Sequence, residues 1–351
     1  MEVCNGCFND KEIKSFIEVT SSTIGKCDCC GKEANLIDLS ELQEFFTNFF
    51  SIFKYDESNG SALIDVIQED WNIFSSHDNG NIILNDFDNS IIDLTIQLGL
   101  VYSDVPVNSK IKVSYIEEIQ ESVNYWEELK SDLKHKRRFL TNLGNLEEYG
   151  WDAAFYVFST IDSNTTLYRS RINQDDSMQP YPIEEMSSPH KTKSSAGRAN
   201  PQGIPYLYLS RDLKTTLYES RATFLDYVSI GEFKFGDDYS FEVVDFTKEE
   251  SPFNNTDDII KFAKNKFIRK VVSRDLSKPL RRYDSDLEYI PTQFICEYIR
   301  FFANPAIGIQ FSSSLEKDGV NIVLFDDSKI KCMDVSVHQI SKIEIDSKSL
   351  S

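Results

Sequence analysis

The sequence predicts an α+β protein in which an N-terminal zinc ribbon and a helical region precede a mixed-sheet domain. Three observations predict it. Two Cys-x2-Cys pairs open the chain, apolar residues at helical spacing follow, and after Gly150 the pattern changes to short β-branched and aromatic runs broken by turn signals. A chain of 351 residues usually builds more than one core. The organisation expected is a zinc ribbon over 1–35, a helical regulatory or oligomerisation region over 36–145, and the α+β domain over 150–351.

Cys4-x2-Cys7 and Cys27-x2-Cys30 stand nineteen residues apart. Each pair turns a knuckle that sets two thiolates on one side, and two knuckles supply the four tetrahedral ligands that zinc prefers. Cys29 competes with its neighbours for the same corner, but knuckle geometry favours Cys4, Cys7, Cys27 and Cys30 as the metal set. A closed four-cysteine site is structural.

In the next region Asp38 or Ser40 is placed to cap a helix carrying Leu42, Phe45, Phe46, Phe49, Phe50 and Phe53 on one face. A second helix is expected from Ser114 to Leu140, striped by Ile116, Ile119, Val123, Trp126 and Leu129. The Lys-His-Lys-Arg-Arg run at 134–138 complements the dipole at its C-terminal end without invoking a nucleic-acid patch.

Beyond Gly150 strands are expected at 166–172, 205–210, 228–235, 241–246, 306–311 and 320–325, with helices at 212–226, 256–272 and 287–303. Five prolines between 180 and 205, among serines and glycines, mark a long loop of the kind that is either disordered or part of a site.

Composition narrows the function classes. Hydrophobic residues at 40% and aromatics at 13% describe a folded globular protein. No apolar run is long enough to span a bilayer and no secretory leader is visible, so the cytoplasm is the expected location and no membrane partner is expected. Of the net charge of −20, residues 1–150 contribute most, with 12 basic against 27 acidic side chains. Such a surface repels phosphate backbones and disfavours a nucleic-acid partner. The Arg-x4-6-His spacing of a HEPN-type nuclease is also missing, since no arginine lies five to seven residues before any of the 4 histidines.

The chemistry is carried by an ordered series: Leu167-Tyr168-Arg169-Ser170-Arg171, then Gly197-Arg198-Ala199-Asn200-Pro201-Gln202-Gly203, then Tyr206-Leu207-Tyr208-Leu209-Ser210, then Thr216-Leu217-Tyr218-Glu219, then Tyr289-x2-Thr292-Gln293, and finally Gly308-Ile309-Gln310-Phe311-Ser312-Ser313. This series resembles the RES domain family, named for an Arg, a Glu and a Ser. The resemblance implies an ADP-ribosyltransferase-like fold, NAD as substrate, and a toxin-type activity of the NAD glycohydrolase or NAD phosphorylase kind, with water or inorganic phosphate as acceptor. Toxin–antitoxin and anti-phage defence settings go with that reading. More loosely, residues 1–140 resemble the helical extensions discussed with the HEPN superfamily. A domain that destroys NAD endangers its own cell, so a restraining N-terminal region, an antitoxin or regulatory partner, and a homo-oligomer are expected.

Each residue also answers a chemical need. Breaking the nicotinamide–ribose bond passes through an oxocarbenium-like species, which a carboxylate stabilises, and Glu219 is the candidate. A pyrophosphate suits planar guanidinium forks, here Arg169 and Arg198. Arg171 shares the strand face of Arg169 and competes with it, and an ordinary surface ion pair is the alternative for either arginine. Tyr208 offers a ring to stack on the ligand, with Tyr206 on the same face. Ser313 would bond a ribose or phosphate oxygen, or position the acceptor, with Ser312 and Ser314 adjacent. A second enzymatic reading keeps the same pocket and transfers ADP-ribose to a protein; the non-enzymatic alternative is a zinc-ribbon and helical binding module that recruits nucleic acid or a partner, its C-terminal part only a decayed scaffold.

Overall fold

The computed structural model describes residues 1–87, 108–174, 177–236, 240–254, 258–279, 286–303 and 305–343. The chain divides into two compact units, Met1–Val123 with Glu249–Lys266, and Asn124–Lys248 with Phe267–Ser351. The first unit holds the cysteine-bearing segment and the expected helical region as far as Val123, and takes in Glu249–Lys266 from far along the chain.

At its start, β1 (Glu2–Cys4), β2 (Thr23–Lys26) and β3 (Glu33–Asp38) form an antiparallel sheet in the order β1-β3-β2. Between β1 and β2 runs α1 (Lys11–Thr20). Asp10 starts it by accepting from the N–H groups of Glu12 and Ile13 at 2.9 and 3.1 Å, and Ile13 and Ile17, one turn apart, are its buried stripe.

The phenylalanine-rich helix is shorter than its pattern. Asp38 caps a 3-10 turn at Leu39–Leu42, and α2 covers Gln43–Phe50. Ser51 closes its last turn by donating back to the Asn48 carbonyl at 2.7 Å, and Phe53 falls in β4 (Phe53–Tyr55). With β5 (Ser61–Ala62) and β6 (Lys112–Tyr115), β4 forms a second small antiparallel sheet, β4-β6-β5. Two short helices, α3 (Leu63–Asp70) and α4 (His77–Phe87), lie between β5 and β6 in sequence. The expected helical region is therefore mixed, and its stretch 88–107 lies outside the described residues. Its core is aromatic: Phe46 and Phe49 meet Phe253 with ring centroids 5.4 and 5.5 Å apart.

The second long helix, α5 (Glu117–His135), begins later than Ser114 because Ser114 and Tyr115 are paired with β4. Ile119, Trp126 and Leu129 are buried, whereas Ile116 and Val123 are only half-buried. Of the basic run near its end, Lys134 bonds Glu288 and Lys136 bonds Asp132, each at 2.8 Å. Among the described residues no helix is long and apolar enough to cross a membrane.

The second unit continues through α6 (Leu143–Glu148), α7 (Trp151–Ala154), β7 (Phe158–Ile161), β8 (Leu167–Ile172), β9 (Leu207–Ser210), α8 (Leu213–Ser220), β10 (Tyr227–Phe235) and β11 (Phe241–Asp245). It ends with α9 (Ile259–Ser277, within the unit from Phe267), α10 (Ile290–Phe302), β12 (Gly308–Ser312), β13 (Val320–Leu324) and β14 (Ile330–Gln339). Among the described residues eight strands form one sheet in the order β14-β10-β8-β9-β13-β12-β11-β7. Every pairing is antiparallel except β11 with β12, so the sheet is mixed as expected.

Alternation along the strands loads both faces. Tyr206, Val244, Ile309, Phe311 and Val323 pack with Trp126, Trp151, Ile268, Ile295 and Ile299 of the helices, while Leu207, Leu209, Val243, Ile322 and Leu324 face a second cluster with Phe233 and Met186. The six expected strands are present, and the two edge strands β7 and β14 are additional. Polar and charged residues at half of its positions hide the strand character of β14. The helix expected over 212–226 stops at Ser220, because Arg221 turns into the left-handed region with φ 55°.

Candidate active site

Glu219 reaches the sheet through α8. Asp212 starts this helix by accepting from the Thr215 N–H at 2.8 Å, and Thr215 and Thr216 are buried. Ser170 of β8 donates to the Thr216 carbonyl at 2.6 Å, which fastens the helix to the neighbouring strand. Glu219, nearly one turn further on, is thereby aimed at the exposed ends of the central strands.

There its carboxylate meets two donors. The Ser313 hydroxyl donates to Glu219 Oε1 at 2.7 Å, and the Asn321 amide Nδ2 donates to the same oxygen at 2.6 Å. Asn321 sits on β13 opposite Ser210 of β9, whose hydroxyl donates to Asn321 Oδ1 at 3.0 Å. Ser313 follows β12, where its Oγ accepts from the N–H of Leu315 at 3.1 Å and its own N–H donates to the Gly319 carbonyl at 2.7 Å. Ser312 is exposed and Ser314 is also turned to solvent, so of the three serines Ser313 is the one brought to the carboxylate.

The two assigned arginines line the same cleft, a cavity of about 380 Å³ bordered also by Tyr208, Glu219, Arg221, Tyr289 and Asn321. Arg169 enters from β8. Its Nη1 is buried and has no hydrogen-bond partner, and burial, followed by the proximity of Arg171, pulls its pKa down to about 10. Arg171 is engaged elsewhere: it donates to the Glu185 carbonyl and stacks on the Tyr181 ring with 4.8 Å to the centroid. Arg198 anchors one nitrogen on the Leu276 carbonyl at 2.9 Å. Among the described residues neither Arg169 nor Arg198 makes an ion pair, which sets aside the surface-pair alternative. Among the described residues, the charged side chains lining the cleft are Arg169, Arg198, Arg221 and Glu219, a cationic lining in a chain of net charge −20.

Tyr208 lines the cleft with its ring, but its hydroxyl is already committed. It donates to Asn200 Oδ1 at 2.7 Å and accepts from the Ala199 N–H at 3.0 Å, and burial pushes the phenol pKa well up. Tyr206 is 2% exposed, packed against Phe325 and under the Arg300 guanidinium, and does not border the cleft.

The proline-rich segment is an ordered part of this site. The Asn200 amide donates to the carbonyls of Ser195 and Ile204 at 3.1 and 2.9 Å, and Gly197 N–H donates to the Asn200 carbonyl at 2.9 Å. From the start of α10, Thr292 Oγ1 donates to the Arg198 carbonyl at 2.6 Å and Gln293 Nε2 to the Gly197 carbonyl at 2.7 Å. The Thr-Gln motif is thus the clamp of the arginine loop. Gly197 is required by close approach, because a Cβ there would lie 2.6 Å from both Asn200 Oδ1 and Tyr208 Oη.

Sequence reasoning missed Asn321. The available signal is a polar residue inside the apolar run Val320–Leu324, since a buried amide in a core strand must find partners.

In the first unit, the sulfurs of Cys4, Cys7, Cys27 and Cys30 lie within 4.8 Å of one another. The Cys7–Cys27, Cys4–Cys30 and Cys4–Cys7 separations are 3.5, 3.6 and 3.8 Å. The edge of a tetrahedron with zinc–sulfur bonds of about 2.3 Å is about 3.8 Å, so the donor set fits zinc. Burial, then the Cys30 and Cys27 thiols, hold Cys4 up to about 11, a cost that a bound cation would offset by stabilising thiolates. Cys29 is not one of the four, and its sulfur lies 3.8 Å from the Asn79 carbonyl.

Compared with known proteins, residues 166–346 match the family described as RES domain. No curated protein and no solved structure matches the chain.

Proposed function

We propose, from the premise that this chain belongs to the RES domain family, that it consumes NAD by cleaving the bond between nicotinamide and ribose. Membership is consistent with an NAD-related toxin function. The observation that carries the finer reading is the carboxylate of Glu219, held on one oxygen by Ser313 and Asn321 beside a cationic cleft. Arg169 and Arg198 would take the pyrophosphate, with guanidinium groups not spent on protein carboxylates. Tyr208 would form the wall against a ring of the ligand.

In the reaction, the C1′–N bond breaks with its electron pair passing to nicotinamide, which leaves neutral. The positive charge that develops on the ribose is stabilised by Glu219. An oxygen lone pair of water or inorganic phosphate then forms the new bond to C1′, and a proton of an attacking water passes to Glu219 or to solvent.

The test incubates the full-length chain with NAD, with and without inorganic phosphate, and follows NAD, nicotinamide and ADP-ribose species by mass spectrometry alongside the intact mass of bystander proteins. Nicotinamide should appear in step with NAD loss, and the acceptor should be read from the ADP-ribose product. Glu219→Gln should lower kcat by about 100-fold or more while NAD binding persists. NAD left intact under every condition overturns the reading.

A further inference from the structure

Two donors on one oxygen of a carboxylate is a directional arrangement. A free carboxylate distributes its charge over two equivalent oxygens and rotates about its last torsion. In Glu219, both hydrogen bonds fall on Oε1, and among the described residues Oε2 accepts none. The donors come from separate elements, Asn321 from β13 and Ser313 from the turn after β12, so the carboxylate is pinned from two directions.

Neither donor is free to do something else. The Asn321 amide is oriented by Ser210, whose hydroxyl takes its Oδ1 and leaves Nδ2 to face Glu219. Ser313 Oγ accepts from backbone N–H groups at Leu315 and Glu316, 3.1 and 3.4 Å away, so its proton is directed to the carboxylate. The same turn is pressed on the start of α8 at Gly319, where a Cβ would lie 2.5 Å from Thr215 Oγ1. Asn321 borders the cleft, whereas Ser313 lies behind Glu219 and is not among the residues that line it.

We infer that Ser313 and Asn321 are positioning residues that saturate Glu219 Oε1 and present Oε2 to the reacting carbon of the substrate. This rests on the NAD reading for the identity of the substrate, but the arrangement of the carboxylate does not. It reassigns Ser313 from a ligand-touching role to one exerted through Glu219, and adds Asn321, which is 7% exposed, as its partner.

Among the described residues, the charged and titratable groups that share the cleft with Glu219 are Arg169 from β8, Arg198 from the loop before β9, Tyr208 from β9, Arg221 after α8 and Tyr289 before α10. These groups stay in place when either donor is removed, so a change at the carboxylate reports on the donors.

The experiment therefore has two arms on the full chain. In the first, the Glu219 carboxyl is followed at fixed pH by carbon NMR in glutamate-labelled protein, with the signal assigned by its loss in Glu219→Gln. The signal should move in Ser313→Ala and in Asn321→Ala, and Ser313→Thr, which keeps the hydroxyl, should restore its wild-type position. In the second, kcat for NAD should fall about 10- to 100-fold in both alanine variants with KM nearly unchanged. Thermal unfolding of each variant identifies any that fail to fold, and Asn321→Asp, nearly isosteric but without the amide donor, then replaces Asn321→Ala with the same outcome expected. An unmoved carboxyl signal in both variants overturns the inference, as does a loss confined to KM, which would place Ser313 on the substrate. If the wild-type chain leaves NAD intact, the NAD reading fails and the NMR arm alone decides the positioning.

Discussion

Tyr208 Oη donates to Asn200 Oδ1 at 2.7 Å, and through that bond β9 holds the loop that carries Arg198. The tyrosine is both cleft wall and prop. Its phenol is the fixed point around which Ala199, Asn200 and Gly197 are arranged.

Removing only the hydroxyl separates the two roles. Tyr208→Phe keeps the ring but strands Asn200 Oδ1, which should cost about 1–3 kcal/mol of folding stability. Turnover of NAD should fall through a higher KM as Arg198 loses its support. Denaturant unfolding and steady-state kinetics on the same preparation check this.

Gly197→Ala makes the complementary test. The added methyl would need the space of Asn200 Oδ1 and Tyr208 Oη, each 2.6 Å from the new carbon, and should destabilise by about 1–3 kcal/mol. The variant should fold and bind NAD more weakly. Wild-type affinity in isothermal titration would show that the loop yields without consequence.

Arg169 should trade stability for binding. Burial disfavours its charged form, as its lowering from 12.5 to about 10 records, so the penalty is present below pH 10 and lifts only as pH climbs toward 12.5. Arg169→Met should therefore raise the unfolding midpoint, by about 1 kcal/mol or more in stability. ADP-ribose should stabilise the wild type and leave the variant unmoved. Equal thermal shifts with ligand would remove Arg169 from the binding set.

The cysteine cluster should hold one zinc per chain by elemental analysis. Cys7→Ser should lose the metal and loosen the β1–β3 sheet, while Cys29→Ser should keep both, because Cys29 is not one of the four clustered sulfurs. Loss of zinc from Cys29→Ser would redraw the ligand set.

Much of this was legible in residue order. Alternation marks the central strands because each must load two apolar faces, and the paired knuckles mark the cysteine cluster because four sulfurs need only local turns to converge. The helix on 42–53 was legible in its start but not its end: Ser51 bends back on Asn48 and Phe53 is claimed by pairing with Tyr115, a partner sixty-two residues away in a different element. Edge strand β14 escaped because an exposed edge does not require an apolar pattern.

By itself the sequence determined the α+β class, the cysteine set and the short list of polar residues around Arg198 and Glu219, since periodicity, knuckle spacing and ordered motifs are local properties of a chain. Only the tertiary structure decided between neighbours. Arg169 rather than Arg171, Tyr208 rather than Tyr206 and Ser313 rather than Ser312 face the cleft or its carboxylate because of what stands opposite them: Glu185 and Tyr181 occupy Arg171, Phe325 and Arg300 cover Tyr206, and Ser313 alone meets Glu219. Asn321 could be found in no motif, because its role depends on Ser210 and Glu219 reaching it from other elements.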